Sequence, residues 1–165
     1  MIRRLFTIGA YGHSRETFMR GLEGNGVDAL IDIRQRRGVR GRKYSFVNAT
    51  ALQDELAAHN IGYVYVKELA PTSAIRDLQK KADALSATAK RKRQFLSDEF
   101  KTSYKDQVLG TCDISALLLK LERFESPCLF CVEGAPGACH RSLVADWLSL
   151  KLNVLVVDIG GGVIS

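Results

Sequence analysis

The densest group of reactive side chains runs from Cys131 to Ser142: Cys-Val-Glu-Gly-Ala-Pro-Gly-Ala-Cys-His-Arg-Ser. It holds two thiols, a carboxylate, an imidazole and a guanidinium, with glycines that let the backbone turn between them. With Cys131 ending a strand and Cys139 opening a helix, unpaired N–H groups and partial positive charge favour an anion there. Arg141 adds a planar fork suited to phosphate or carboxylate, and its field, with that of His140, favours a Cys139 thiolate. Three chemistries compete for this segment. One is an oxyanion site. The second is a thiol enzyme in which Cys139 or Cys131 attacks, His13 or His140 handles protons and Arg141 holds the oxyanion. The third is a metal site using Cys131, Glu133, Cys139 and His140. Cys128-Leu129-Phe130-Cys131 has no second Cys-x-x-Cys to pair with, so the spacing does not support the third, and neither metal nor cofactor is expected. Cys112 and Cys128 read as core.

Asp32 and Arg34 stand two apart and so point to one face of an extended segment. Asp32 follows the apolar Ala29-Leu30-Ile31 and needs a partner, either Arg34 or Arg141, or it orients a substrate group. From Arg34 to Lys43 six of ten residues are cationic, and Tyr44 and Phe46 follow. Such a loop can clamp phosphates, Arg40 among its cations, while the aromatics stack on bases. Gly12-His13-Ser14 adds an N-cap serine and an imidazole suited to proton transfer. The run Lys90-Arg91-Lys92-Arg93 reads as a solvated face.

These segments need a scaffold of 165 residues, a common size for one domain. The chain is 46% apolar and 25% charged, with a net charge of +6 that invites an anionic partner. No apolar run is long enough to span a membrane, and no secretory signal precedes Ser14. Four cysteines suit a reducing cytoplasm rather than a disulfide scaffold. Leu5–Ile8, Ala29–Ile33, Tyr63–Val66, Cys128–Val132 and Val154–Val157 read as strands. Between them come a helix capped by Ser14, another begun at Asn48, a polar helical segment from Ala74 to Leu109, a helix from Asp113 and one through Val144 and Trp147. This alternation predicts a single α/β domain over 1–160, Rossmann-like and three-layered, with a mainly parallel sheet of about five strands; 161–165 is a tail. Ligands of such sheets bind beyond the strand carboxyl ends, where all the segments above are expected to meet on one rim.

Thr7-Ile8-Gly9-Ala10-Tyr11-Gly12-His13-Ser14, Asp32-Ile33-Arg34, Glu68-Leu69-Ala70-Pro71, Cys131-Val132-Glu133 and Cys139-His140-Arg141-Ser142 follow one another along nearly the whole chain. In this order they resemble the domain of unknown function 488 family. The resemblance implies a compact bacterial or archaeal Rossmann-like domain without a settled activity. Its shared site would comprise Gly12, Asp32, Arg34, Cys131, Glu133, Cys139, His140 and Arg141. Many relatives carry a proline after Asp-x-Arg, where this chain has Arg36, Arg37 and Gly38, and a histidine where it has Asp158. Rhodaneses and tyrosine phosphatases place a cysteine and an arginine similarly, but across a shorter loop. The expectation is therefore a phosphate-bearing ligand, nucleotide or nucleic acid, held by Gly12, Ser14, Arg34, Arg40, Tyr44, Cys131 and Glu133. The alternative is a cysteine-dependent enzyme using Cys139, His140, Arg141, His13 and Asp32.

Overall fold

The computed structural model describes residues 1–87, 89, 92–160 and the backbone of 162–163. Five parallel strands form its centre: β1 (Leu5–Gly9), β2 (Ala29–Asp32), β3 (Gly62–Tyr65), β4 (Pro127–Cys131) and β5 (Val156–Asp158). The residues assigned to the tail include a two-residue strand, β6 (Gly162–Val163), antiparallel to β5. The order is β3-β2-β4-β1-β5-β6, so β4 lies between β1 and β2. The carboxyl ends of β1, β2 and β4, with their loops, are therefore neighbours.

Strand alternation sends side chains to two cores. Phe6, Ile8, Leu30, Cys128 and Phe130 pack with α1 (Arg15–Gly24) and α2 (Ala49–Ala58) on one face. Leu5, Ile31, Leu129 and Val156 pack on the other face, covered by α3 (Ser73–Leu85), α4 (Asp98–Tyr104), α5 (Ile114–Leu121) and α6 (His140–Leu152). This is the three-layer α/β fold expected. Phe18 of α1 is fully buried, edge-on to Phe130 at 5.5 Å between centroids. Such a side chain contributes about 1.5–3 kcal/mol by leaving water.

Caps explain the helix starts. Ser14 accepts from the Thr17 N–H while Thr17 reaches back to the Ser14 N–H, a reciprocal box that opens α1. Asn48 precedes α2, yet its side chain accepts the Val39 N–H at 2.6 Å and pins the basic loop rather than capping the helix. The polar stretch expected as one helical segment from Ala74 to Leu109 is broken. α3 ends at Ser86, whose hydroxyl returns to the Ala82 carbonyl. The chain then crosses to the β4–α6 loop, where the Leu96 N–H meets the Gly137 carbonyl, before α4 begins. Among the described residues no helix is long and apolar enough to cross a membrane.

One glycine is required where β1 and β4 run out together. A Cβ on Gly9 would lie 1.9 Å from the Glu133 carbonyl oxygen and 3.0 Å from Arg141 Nη1. The Glu133 backbone cannot yield cheaply, and the Arg141 guanidinium is held by its own hydrogen bonds, so Gly9→Ala should cost about 3 kcal/mol by overpacking. Urea unfolding reads this as a lower midpoint at unchanged slope, and a wild-type midpoint would show that the two loops separate freely.

Candidate functional site

Asp32 closes β2 with its carboxylate fully buried. Oδ1 accepts from Arg34 Nε at 2.9 Å and from the Arg34 N–H at 3.1 Å, while Oδ2 accepts from Arg34 Nη2 at 2.7 Å and Tyr63 Oη at 2.6 Å. Arg34 also donates to the Val47 carbonyl at 2.9 Å, and its guanidinium lies over the Phe130 ring at 4.6 Å. The partner of Asp32 is thus Arg34, and the pair ties the start of the basic loop to its end. Burial of the Tyr63 phenol, with Asp32 accepting its proton, pushes its pKa up to about 12 against the opposing Arg37 contact. The sequence alternative, an Asp32–Arg141 pair, does not form. Asp32 is in phase with Leu30 and faces α1 and α2, whereas Arg141 meets Asp158 on the α6 face. The two share an end of the sheet but not a face.

Arg141 lies inside the protein, at the start of α6. It is fully buried, and its fork closes on the protein itself, donating to the carbonyls of Glu133 and, at 2.7 Å, Gly134. Its Nη2 also lies 3.5 Å from Asp158 Oδ1, which takes the Thr7 hydroxyl proton at 2.5 Å. The guanidinium therefore shapes the β4–α6 loop, while its buried Nε has no hydrogen-bond partner among the described residues.

Cys131, Cys139 and His140 do come together. Cys139 caps α6, its Sγ accepting the Arg141 N–H at 3.5 Å. Both sulfurs lie 3.9 Å from His140 Nδ1, and the His140 Nε2 meets the Ile33 carbonyl oxygen at 3.0 Å. Burial opposes charge on Cys139, but hydrogen bonding with Cys131 and the fields of His140 and Arg141 take its pKa well below the ordinary thiol value. Cys131, bonded to Cys139 and buried, is pushed well above it. The two thiols interact closely enough to titrate as a pair.

All three residues line a cavity of about 430 Å³ over the ends of β2 and β4. Six cationic side chains (Arg34, Arg36, Arg40, Arg76, Lys80 and Arg93) line it against two carboxylates, Asp83 and Glu133. Arg93 pairs with Asp83 at 2.7 Å and donates to the Ala138 carbonyl at 3.1 Å. Its placement corrects the reading of its basic run as a solvated face; Lys90 and Arg91 lie outside the described residues. Arg36 and Arg40 are exposed and form no ion pair among the described residues. Two buried polar atoms of the lining, Gln35 Oε1 and Arg76 Nε, have no hydrogen-bond partner among the described residues.

The remaining expected residues lie elsewhere. Gly12, His13 and Ser14 border a second hollow with Arg42, Lys43 and Phe46, on the side of α1. His13 packs edge-on to Phe18, and burial lowers its pKa despite the Ile159 backbone and Asp158. It therefore borders a different hollow from the thiols it was expected to serve. Tyr44 is buried against Tyr11, its hydroxyl accepting the Gly12 N–H at 3.3 Å, so it is a core ring rather than a base-stacking platform. The basic loop is partitioned: Arg34 is paired, Arg37 lies over Tyr65, Arg36 and Arg40 reach the first cavity, and Arg42 and Lys43 the second. Sequence reasoning missed Gln35, Arg76 and Arg93. The spacing of Arg76, Gln79, Lys80 and Asp83 puts them on one face of a helix, a polar stripe that could have marked α3 as a cavity wall.

The family model described as domain of unknown function DUF488 matches residues 14–148. The span takes in Asp32, Arg34, all of the cavity lining but Tyr11, and the Cys-His-Arg helix start, and omits β1 and Gly12-His13. Comparison with curated proteins and with solved structures returned no match.

Proposed function

The chain belongs to the DUF488 family, and from its cavity we propose that the protein binds a phosphate-bearing small molecule at the carboxyl ends of its strands. One observation carries this reading: uncompensated cations converge on a recess of ligand size. Among the described residues, no carboxylate neutralises Arg36 or Arg40, and Arg76 presents a buried Nε with no hydrogen-bond partner. A volume of about 430 Å³ suits a nucleotide-sized occupant. An arginine donates to phosphate in a fork that a carbonyl-rich loop alone cannot supply. Division of the basic loop between two hollows favours a small ligand over a continuous nucleic-acid track.

Calorimetric titration with ADP, and with adenosine as the phosphate-free control, tests the reading. ADP binds and adenosine does not. Arg40→Ala and Arg76→Ala each weaken ADP about tenfold, the loss of roughly one charge-assisted hydrogen bond, while Arg42→Ala in the second hollow leaves it unchanged. Equal binding of ADP and adenosine, or a loss in Arg42→Ala as large as in Arg40→Ala, would reject the site. An oligonucleotide that binds more tightly than ADP with a steep salt dependence moves the assignment to nucleic acid.

A second reading, cysteine-dependent chemistry on that bound anion, is favoured by the position of Cys139 Sγ at the start of α6 on the cavity floor. It requires Cys139→Ser to abolish turnover while ADP affinity is retained.

A further inference from the structure

We propose that Cys131, Cys139 and His140 form a zinc site, with three protein ligands and a fourth position open to the cavity. The spacing Cys-x-x-x-x-x-x-x-Cys-His is not a recognised zinc pattern in sequence, because the convergence depends on the β4–α6 loop. That loop is folded back by Arg141, which holds the carbonyls of Glu133 and Gly134. Cys131 then stands at the end of β4 beside the first residues of α6.

The geometry is close to what zinc requires. The two sulfurs and the imidazole nitrogen lie within 4.8 Å of one another, and each sulfur is 3.9 Å from Nδ1. Around tetrahedral zinc, bonds of about 2.3 Å to sulfur and 2.0 Å to nitrogen set ligand separations of roughly 3.6–3.8 Å. Each sulfur–nitrogen distance closes by a few tenths of an ångström, and the sulfur–sulfur separation, within 4.8 Å, by up to about 1 Å.

The surroundings orient the ligands as a metal centre needs. A carbonyl only accepts, so in the neutral ring the Ile33 oxygen keeps the His140 proton on Nε2 and leaves the Nδ1 lone pair toward the sulfurs. The ring is held by Tyr104, 5.5 Å away between centroids. Cys139 Sγ accepts a backbone N–H from Arg141, the kind of outer hydrogen bond that steadies a ligating thiolate. Two sulfurs and one imidazole are a borderline-soft set that suits zinc rather than calcium or magnesium. All three ligands are buried, yet all line the cavity, so the ion would face whatever occupies it. Structural zinc sites are closed by four protein ligands; three with an open position is the arrangement of a catalytic site.

The test uses the reduced, metal-stripped full chain. Titration with cobalt should produce tetrahedral ligand-field and sulfur-to-cobalt charge-transfer absorption that saturates at one equivalent and is displaced by zinc. Cys131→Ser, Cys139→Ser and His140→Gln each lower zinc affinity more than about 100-fold, above the range for outer-shell changes. Cys112→Ser leaves affinity unchanged. X-ray absorption of the zinc-loaded wild type reads a shell containing two sulfurs and needs no variant to fold. A shell without sulfur, no stoichiometric binding, or binding lost with Cys112→Ser overturns the proposal. ADP affinity is read separately through Arg40 and Arg76, so failure of the zinc site and failure of the phosphate site are distinguishable.

Discussion

Arg141→Ala should lower the unfolding free energy by about 3–5 kcal/mol, the range for removing one member of a buried charge pair. The replacement strands three acceptors at once. The carbonyls of Glu133 and Gly134 lose their donor, and the buried Asp158 carboxylate is left with the Thr7 hydroxyl. A cavity the size of the guanidinium adds to the cost. The sequence offered Arg141 as a fork for an anion; in the structure two arms of that fork are taken by loop carbonyls. Against a typical total of 5–15 kcal/mol, the variant will be marginal at room temperature. Arg141→Lys should recover part of the loss, because a single ammonium keeps the charge but cannot span both carbonyls as the fork does. Urea unfolding of the three proteins measures this. An Arg141→Ala variant as stable as wild type would mean that the loop is held by something other than this side chain.

Asp32→Ala should be comparably severe, at about 3–5 kcal/mol, for a related reason. It leaves the Arg34 guanidinium, only 3% exposed, without its counter-charge, and Tyr63 loses the acceptor of its hydroxyl. Because Arg34 also binds the Val47 carbonyl, the damage reaches the far end of the basic loop and loosens the segment that carries Arg36 and Arg40. ADP affinity should fall with stability, although Asp32 does not line the cavity. A double-mutant cycle with Arg34→Ala should return an interaction energy above about 1 kcal/mol. Additive losses would show that the two side chains are stabilised independently, and the account of the pair would fail.

Much of the scaffold was legible because burial writes itself into local sequence. Ala29–Ile33 and Cys128–Val132 are continuous apolar runs since both faces of a parallel sheet are covered, and the structure places β2 and β4 there within a residue or two. Ser14 was legible as a cap because an N-cap needs only its own side chain and the next turn. The helix break after Ser86 was not, since it depends on contacts with Gly137 and Ala138 about fifty residues away.

The site divides along the same line. The sequence determined which groups exist and at which strand ends they emerge: Asp32 and Arg34 after β2, the two thiols flanking the β4–α6 loop, and cations in the segment between β2 and α2. Tertiary structure alone decided what each charge meets. It buried Arg141 on loop carbonyls, gave Asp32 to Arg34, set His13 in a different hollow from Cys139 and brought Arg93 from a polar run to the cavity wall. The reason is physical. Secondary structure follows from side-chain periodicity along a few turns, whereas the partner of a buried charge is chosen by whichever distant segment packs against it.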